Sequence, residues 1–178
     1  MIKTFNGKKL KIREMNRSDL KRAKDFLDFI NSLVEEEAMI LEKKKKNLRE
    51  EKEWLKNQLK EIREKKRVAI LAEDGNKIVG ICDCRLGRGR QSHVGEITIG
   101  VRKGYQGIGL GKFLFGEILE LAKRKLRPKF FQLSVFEGNE IAKNLYKKFG
   151  FKEVAKIPKQ IEYKGKLISE IVMIKEAK

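Results

Sequence analysis

Residues 97–112 read ITIGVRKGYQGIGLGK, and this stretch decides the fold. Alternating β-branched residues run directly into a glycine-rich turn that opens onto an apolar, helix-like segment. In Gly107-Ile108-Gly109-Leu110-Gly111-Lys112 the glycines let the backbone turn tightly while its N–H groups stay free to face an anion at a helix N-terminus. The stretch therefore predicts a diphosphate site. Two familiar phosphate loops fail on their offsets. A Walker A loop needs glycine where Gln106 stands and Ser or Thr where Phe113 stands. A dinucleotide fingerprint starting at Gly107 needs glycine at Lys112 and an acidic residue ending a second strand about 20 residues on, and neither is present.

The spacing Gln106-x-x-Gly109-x-Gly111 resembles the pyrophosphate signature of the GNAT superfamily of acetyl-CoA-dependent N-acyltransferases. A second match follows in NEIAKNLYKKFGF, where Asn139, Ala142, Tyr146, Gly150 and Phe151 fall on that superfamily's N-x-x-A-x-x-x-Y-x-x-x-G-F element. Two motifs in the right order, about 30 residues apart with a strand-like FFQLSVF between them, are far more specific than either alone. The resemblance covers residues 69–151 closely and the N-terminal third in outline.

The rest of the chain supplies elements in a compatible order. A hairpin around Asn6-Gly7 leads into a first strand. Helical spacing of Leu20, Ala23, Phe26, Leu27, Ile30 and Leu33 predicts a helix capped by Ser18, and Leu48, Leu55, Leu59 and Ile62 mark a second, highly charged helix over 47–66. VAILAE and KIVGICDCRL read as a hairpin about Asp74-Gly75, and FKEVAKI and EYKGKLISEIVMIK as two final strands. The expectation is an α/β (mixed α+β) GNAT fold. It consists of one domain over 1–178 whose twisted mixed sheet of six to seven strands is splayed between its fourth and fifth core strands. Residues 19–66 form the acceptor side and 69–151 the acetyl-CoA core.

The resemblance implies transfer of an acetyl group from acetyl-CoA to an amine through a tetrahedral intermediate. This needs a base, an oxyanion donor and an acid for the departing thiolate. It assigns the pantetheine-binding strand to Ile99, Gly100 and Val101, with the Val101 N–H as oxyanion donor. The diphosphate falls to Gln106, Gly107, Ile108, Gly109, Leu110, Gly111 and Lys112, and further cofactor contacts to Asn139, Ala142 and Tyr146. Tyr146 on its own reads as a core residue on an apolar helical stripe; the motif around it makes it the candidate general acid, since a phenol stays protonated at neutral pH. Glu96, on the same strand as Val101, is the candidate base acting through water, or equally the partner of one of the many cations. His93, the sole histidine, is the runner-up, and bulk water a third option.

Composition narrows the remaining classes. The 43 Lys plus Arg against 25 Asp plus Glu give a net charge of +18. Such an excess fits a solvated, heat-adapted surface better than a nucleic-acid-binding one, although an acidic partner or nucleic acid is compatible with it. The lysine run before Asn47, the Arg85/Arg88/Arg90 loop and Glu35–Glu37 all read first as solvated segments. No run of about 18 apolar residues and no signal-like N-terminus is present, so a cytoplasmic protein, monomer or homodimer, is expected. Cys82 and Cys84 lie two apart on one strand face, read as small buried residues, and lack the further ligands a metal would need. The acceptor is expected to be a protein or peptide amine, with a small amino acid or polyamine as the alternative, and a non-catalytic basic protein on the same scaffold as the competing class.

Overall fold

The computed structural model describes residues 1–178. Its strands are β1 (Ile2–Phe5), β2 (Lys8–Glu14), β3 (Arg67–Asp74), β4 (Lys77–Leu86), β5 (Val94–Val101), β6 (Phe130–Phe136), β7 (Lys152–Tyr163) and β8 (Lys166–Glu176). The helices are α1 (Ala23–Glu35), α2 (Leu48–Arg63), α3 (Leu110–Lys125) and α4 (Glu140–Lys148). All the strands join one eight-stranded sheet in the order β1-β2-β3-β4-β5-β6-β8-β7. That is one strand more than the sequence suggests, because the whole β7–β8 hairpin and both strands of the N-terminal hairpin pair into the sheet.

Two-residue alternation along the strands divides the apolar residues between two cores. One face packs α3 and α4 on a 25-residue core that includes Phe115, Phe131, Tyr146 and Met173. The other packs α1 and α2 over a smaller core with Phe26, Phe29, Leu33, Leu55 and Leu71. Cys82 and Cys84 point into the first, where burial pushes the Cys84 thiol up to about 12.

The first helix begins differently from its sequence reading. Asn16, not Ser18, is the cap: its side chain accepts from the Ser18 N–H at 2.9 Å, while Asp19 accepts from the Asn16 N–H at 2.9 Å. Residues Arg17–Arg22 form a 3-10 turn, so the α-helical period starts only at Ala23. The buried stripe is accordingly Ala23, Phe26, Phe29 and Leu33, and Leu20 is left exposed. Asp19 itself is fully buried and held by Arg13 at 2.6 Å, and Arg13 and Arg22 also bind Glu73 on β3. For α2 the expected Asn47 start is found, with a reciprocal capping box between Asn47 and Glu50. Strand β7 runs further than FKEVAKI implies: it passes Pro158 through an irregularity, with Lys159 left-handed (φ 56°), and resumes to Tyr163. An edge strand can carry such a break because it has no second neighbour to satisfy.

Candidate active site

All neighbouring strands are antiparallel except β5 and β6, which are parallel and linked by α3. They pair only over Val94–Glu96 against Phe130–Gln132, and then diverge. From Ile97 to Val101, β5 keeps β4 on one side and has no strand on the other. The Arg102 N–H bonds the Val79 carbonyl on β4 at 3.0 Å. Strand alternation therefore turns the amides of Thr98 and Gly100 to β4 and those of Ile99 and Val101 into the open slot. Gly100 thus presents no amide to the slot, and β5 has no bulge there. Its missing side chain serves α1 instead: a Cβ would meet Leu33 Cδ1 at 2.9 Å and Phe29 Cζ at 3.4 Å.

Beyond β5 the chain turns through the glycine loop. Gly109 is the left-handed cap of α3 (φ 87°) and offers no side chain to bond the helix's first amides. From Gln106 through Lys112 no backbone N–H has an acceptor in the protein; the first intrahelical bond is Phe113 N–H to Gly109 C=O at 3.0 Å. A run of free donors at the positive end of a 16-residue helix is a ready anion cradle. The neighbouring side chains brace it. Gln106 Nε2 donates to the Val101 carbonyl at 2.8 Å, and Tyr105 Oη to Asp74 at 2.8 Å. Arg102, nearly buried, bonds the Ile78 carbonyl at 2.8 Å and Asp28 at 2.6 Å. Leu110 anchors in the core, Ile108 packs at its margin, and Lys112 is exposed. A Cβ on Gly111 would make only an ordinary contact with Val101, so steric need does not explain that glycine.

On α4, Asn139 caps the helix by accepting from the Ala142 N–H at 3.2 Å. One turn further on, Tyr146 is buried to 7 % exposure against Phe115, with ring centroids 5.0 Å apart. Its hydroxyl has no partner in the protein, yet no fully buried side-chain oxygen is left unsatisfied, so Oη keeps a solvent opening. Burial, reinforced by the Cys82 thiol, pushes the phenol well above its usual value and keeps it protonated across the physiological range. Cys82, which shares the larger core with Tyr146, is the cross-strand partner of Ile99.

The opposite face of the slot is polar. Glu96 and Thr98 emerge there, toward α1 and α2, with Gln132 and Ser134 across the gap on β6. Glu96 is half-exposed and paired with Arg85 on β4 at 2.6 Å. Thr98 Oγ1 donates to Asp83 at 2.5 Å, Asp83 is ion-paired with Arg67, and Arg67 reaches Glu61 of α2 at 2.8 Å. Burial pushes the Asp83 carboxyl above its ordinary value, and Arg67 and Thr98 offset only part of that rise. This network is absent from the sequence reading. Strand alternation puts Asp83 and Thr98 on one face, but only the register makes them partners. His93 precedes β5 at the closed end of the slot, exposed and edge-on to Phe130 at 6.4 Å. At about 3.3 Å per residue it lies roughly 20 Å along the strand from Ile99.

The β7–β8 tip roofs this face. Tyr163 Oη donates to the Glu37 carbonyl at 2.7 Å, and Lys164–Glu37 and Lys43–Glu162 pair at 2.8 Å each.

Residues 29–151 match the acetyltransferase (GNAT) family. The chain belongs to that family. No curated protein matches it at the sequence level. Solved structures that it resembles include an acetyltransferase of the GNAT family from Streptococcus pneumoniae, 26% identical, with TM-score 0.79 and 94% of this chain and 99% of that one covered. A ribosomal-protein-alanine N-acetyltransferase from Brucella melitensis is 24% identical, with TM-score 0.77 and coverage of 93% and 99%. The putative acetyltransferase yncA from Salmonella typhimurium, with its cofactor acetyl-CoA, is 17% identical, with TM-score 0.78 and coverage of 95% and 94%. This GNAT protein is an acetyl-CoA-dependent N-acetyltransferase. The free amides of the glycine loop suit a diphosphate, and the unpaired edge of β5 suits an extended amide-bearing arm. No helix is long and apolar enough to cross a membrane.

Proposed function

We propose that the enzyme acetylates a single, isolated amine such as a peptide or protein N-terminus rather than a polyamine. The observation that carries this reading is the charge balance of the acceptor face. Glu96 is matched by Arg85, and Asp83 and Glu61 share Arg67, so these carboxylates exceed their guanidinium partners by only one, too few for both a second and a third ammonium. The long-range field of a +18 protein acts in the same direction by repelling polycations. The alanine N-acetyltransferase among the structural neighbours is compatible with this choice, and the spermidine N-acetyltransferase among them, 20% identical, represents the alternative. A small amino acid is the second reading, since the half-exposed Arg85 guanidinium beside Glu96 suits a carboxylate next to an amine.

Acetyl-CoA supplies the activated acetyl group, and each step left to the protein has a candidate. Amides 106–112 hold the diphosphate and Asn139 and Ala142 flank the arm. Glu96 takes the amine's proton through water. Of the two amides turned into the slot, Ile99 lies nearer Glu96, about 10 Å along the strand against about 16 Å for Val101, so Ile99 is the better oxyanion donor and Val101 the better partner for the arm. Tyr146 gives a proton or hydrogen bond to the departing sulfur. Thr98 Oγ1, its proton committed to Asp83, offers lone pairs to an N–H of the incoming amine. The test is release of CoA thiol with an alanine-starting hexapeptide, the same peptide N-terminally blocked, free alanine and spermidine. Faster turnover of the free-amine peptide supports the proposal, faster turnover of alanine selects the second reading, and preference for spermidine overturns both.

A further inference from the structure

Helix α2 carries Arg49, Lys52, Lys56, Lys60 and Arg63, all exposed. At 100° per residue they fall within a sector of about 80°, and at 1.5 Å rise they form a row about 21 Å long. None of them is in an ion pair, although α2 is rich in acids. Most of those acids are engaged elsewhere, and Glu53, exposed at the edge of the row, makes no ion pair with it. Glu50 accepts from the Asn47 N–H at 2.8 Å, Glu51 is buried, Glu61 binds Arg67 and Glu64 binds Lys66 at 2.7 Å. The row is therefore a line of cations without ion pairs, edged by the one free carboxylate of Glu53, on the exposed face of α2. Sequence alone reads the overall charge as a solvated surface; the alignment and the lack of ion pairs come from the structure.

We propose that this face of α2 docks the backbone of double-helical RNA. A line of separated cations complements a line of phosphates, each contact releasing a counterion. The row carries no aromatic residue, and Trp54 is turned inward onto Phe26 at 6.2 Å, so no platform exists for the stacked bases of a single strand. Glu53 and Asn57 flank the row on one side, at about 40° and 80° from Arg49. They are acceptors suited to 2′-hydroxyls, which RNA sets beside its phosphates and DNA lacks. Lysines 43–46 lead from the start of α2 to the contact between Lys43 and the β7–β8 tip, so a docked RNA would hold a protein bound to it beside the acceptor face.

The experiment measures binding of a fluorescent 20-base-pair RNA hairpin by anisotropy between 50 and 200 mM salt. The proteins are the full chain, a row variant (Lys52→Gln, Lys56→Gln, Lys60→Gln) and an equal-charge control (Lys9→Gln, Lys11→Gln, Lys77→Gln). Contact with the whole row predicts a log–log salt slope of about −4, lowered by about 2 to 3 units in the row variant together with at least a tenfold loss of affinity. The control should stay close to the unmodified protein. A DNA duplex of equal length should bind more weakly than RNA, and vesicles containing phosphatidylserine should not compete. No RNA binding, equal losses in both variants, equal affinity for DNA, or displacement by the vesicles would each overturn the proposal. The thermal shift given by acetyl-CoA should be the same in all three proteins, which separates loss of docking from loss of fold or of the acetyltransferase site.

Discussion

Replacing Glu51 by Gln should make the protein more stable at pH 8 and leave it almost unchanged at pH 4.5. Glu51 faces inward from α2 at 3 % exposure, and its side chain has no hydrogen-bond partner. Burial pushes its carboxyl from 4.5 to about 7; Lys46 offsets part of that, and Glu42 adds to it. The folded state thus holds a proton that the unfolded chain has already released between these two values, and stability falls as pH rises through that window. Below about 4.5 both states are protonated and nothing is lost; above about 7 the full cost is present. At 1.36 kcal/mol per pH unit the window is worth about 3 kcal/mol at most, and about 2 kcal/mol once the desolvation of the new amide is counted. For a chain of this length that corresponds to a rise in Tm of roughly 4–8 °C. Urea unfolding and thermal scans of both proteins at pH 4.5, 6 and 8 measure it. An equal offset at all three pH values, or a loss of stability at pH 8, would show that the Glu51 charge is compensated by Lys46 and would refute the reasoning.

Tyr146→Phe should lower kcat by about a hundredfold with the acetyl-CoA thermal shift intact, since only the hydroxyl is removed from a ring packed on Phe115; unchanged turnover would end its role as acid. Gly109→Ala forces a side chain into φ 87° and should cost about 1–2 kcal/mol while weakening acetyl-CoA binding, both read from unfolding with and without the ligand. Asp83→Asn leaves Arg67 without its buried counter-charge and should destabilise by about 3 kcal/mol at pH 7 in urea titrations. A change below 1 kcal/mol would mean that Glu61 alone satisfies the guanidinium.

What was legible in the sequence is what one segment encodes by itself. The Gln106–Lys112 loop and the Asn139–Phe151 element announce their conformations through glycine and capping residues at short range, and both the run of free loop amides and the Asn139 cap are found. The splay follows from their order. The features that escaped notice depend on residues far apart in the chain. Asp83 and Thr98 meet only through the β4–β5 register, and Arg67 joins them from a third strand. Gly100 signals close approach in either reading, but which partner approaches, α1 rather than the cofactor arm, is a tertiary fact. Asn16 and Ser18 are both good caps, and the choice turns on Asp19, whose position is fixed from outside the helix by Arg13.

The divergence of β5 from β6 leaves a strand in mid-sheet with one edge unclaimed. Water must serve the Ile99 and Val101 amides while that edge is open, and under the proposed assignment an extended arm would be recognised there as a neighbouring strand would be, by main-chain spacing rather than by side-chain identity. An edge that binds in this way tolerates drift in the apolar residues that carry it, because amides rather than side chains would make the contacts. The β5 sequence can therefore vary among proteins that keep the same donor, while the glycine loop, whose conformation depends on residue type, cannot.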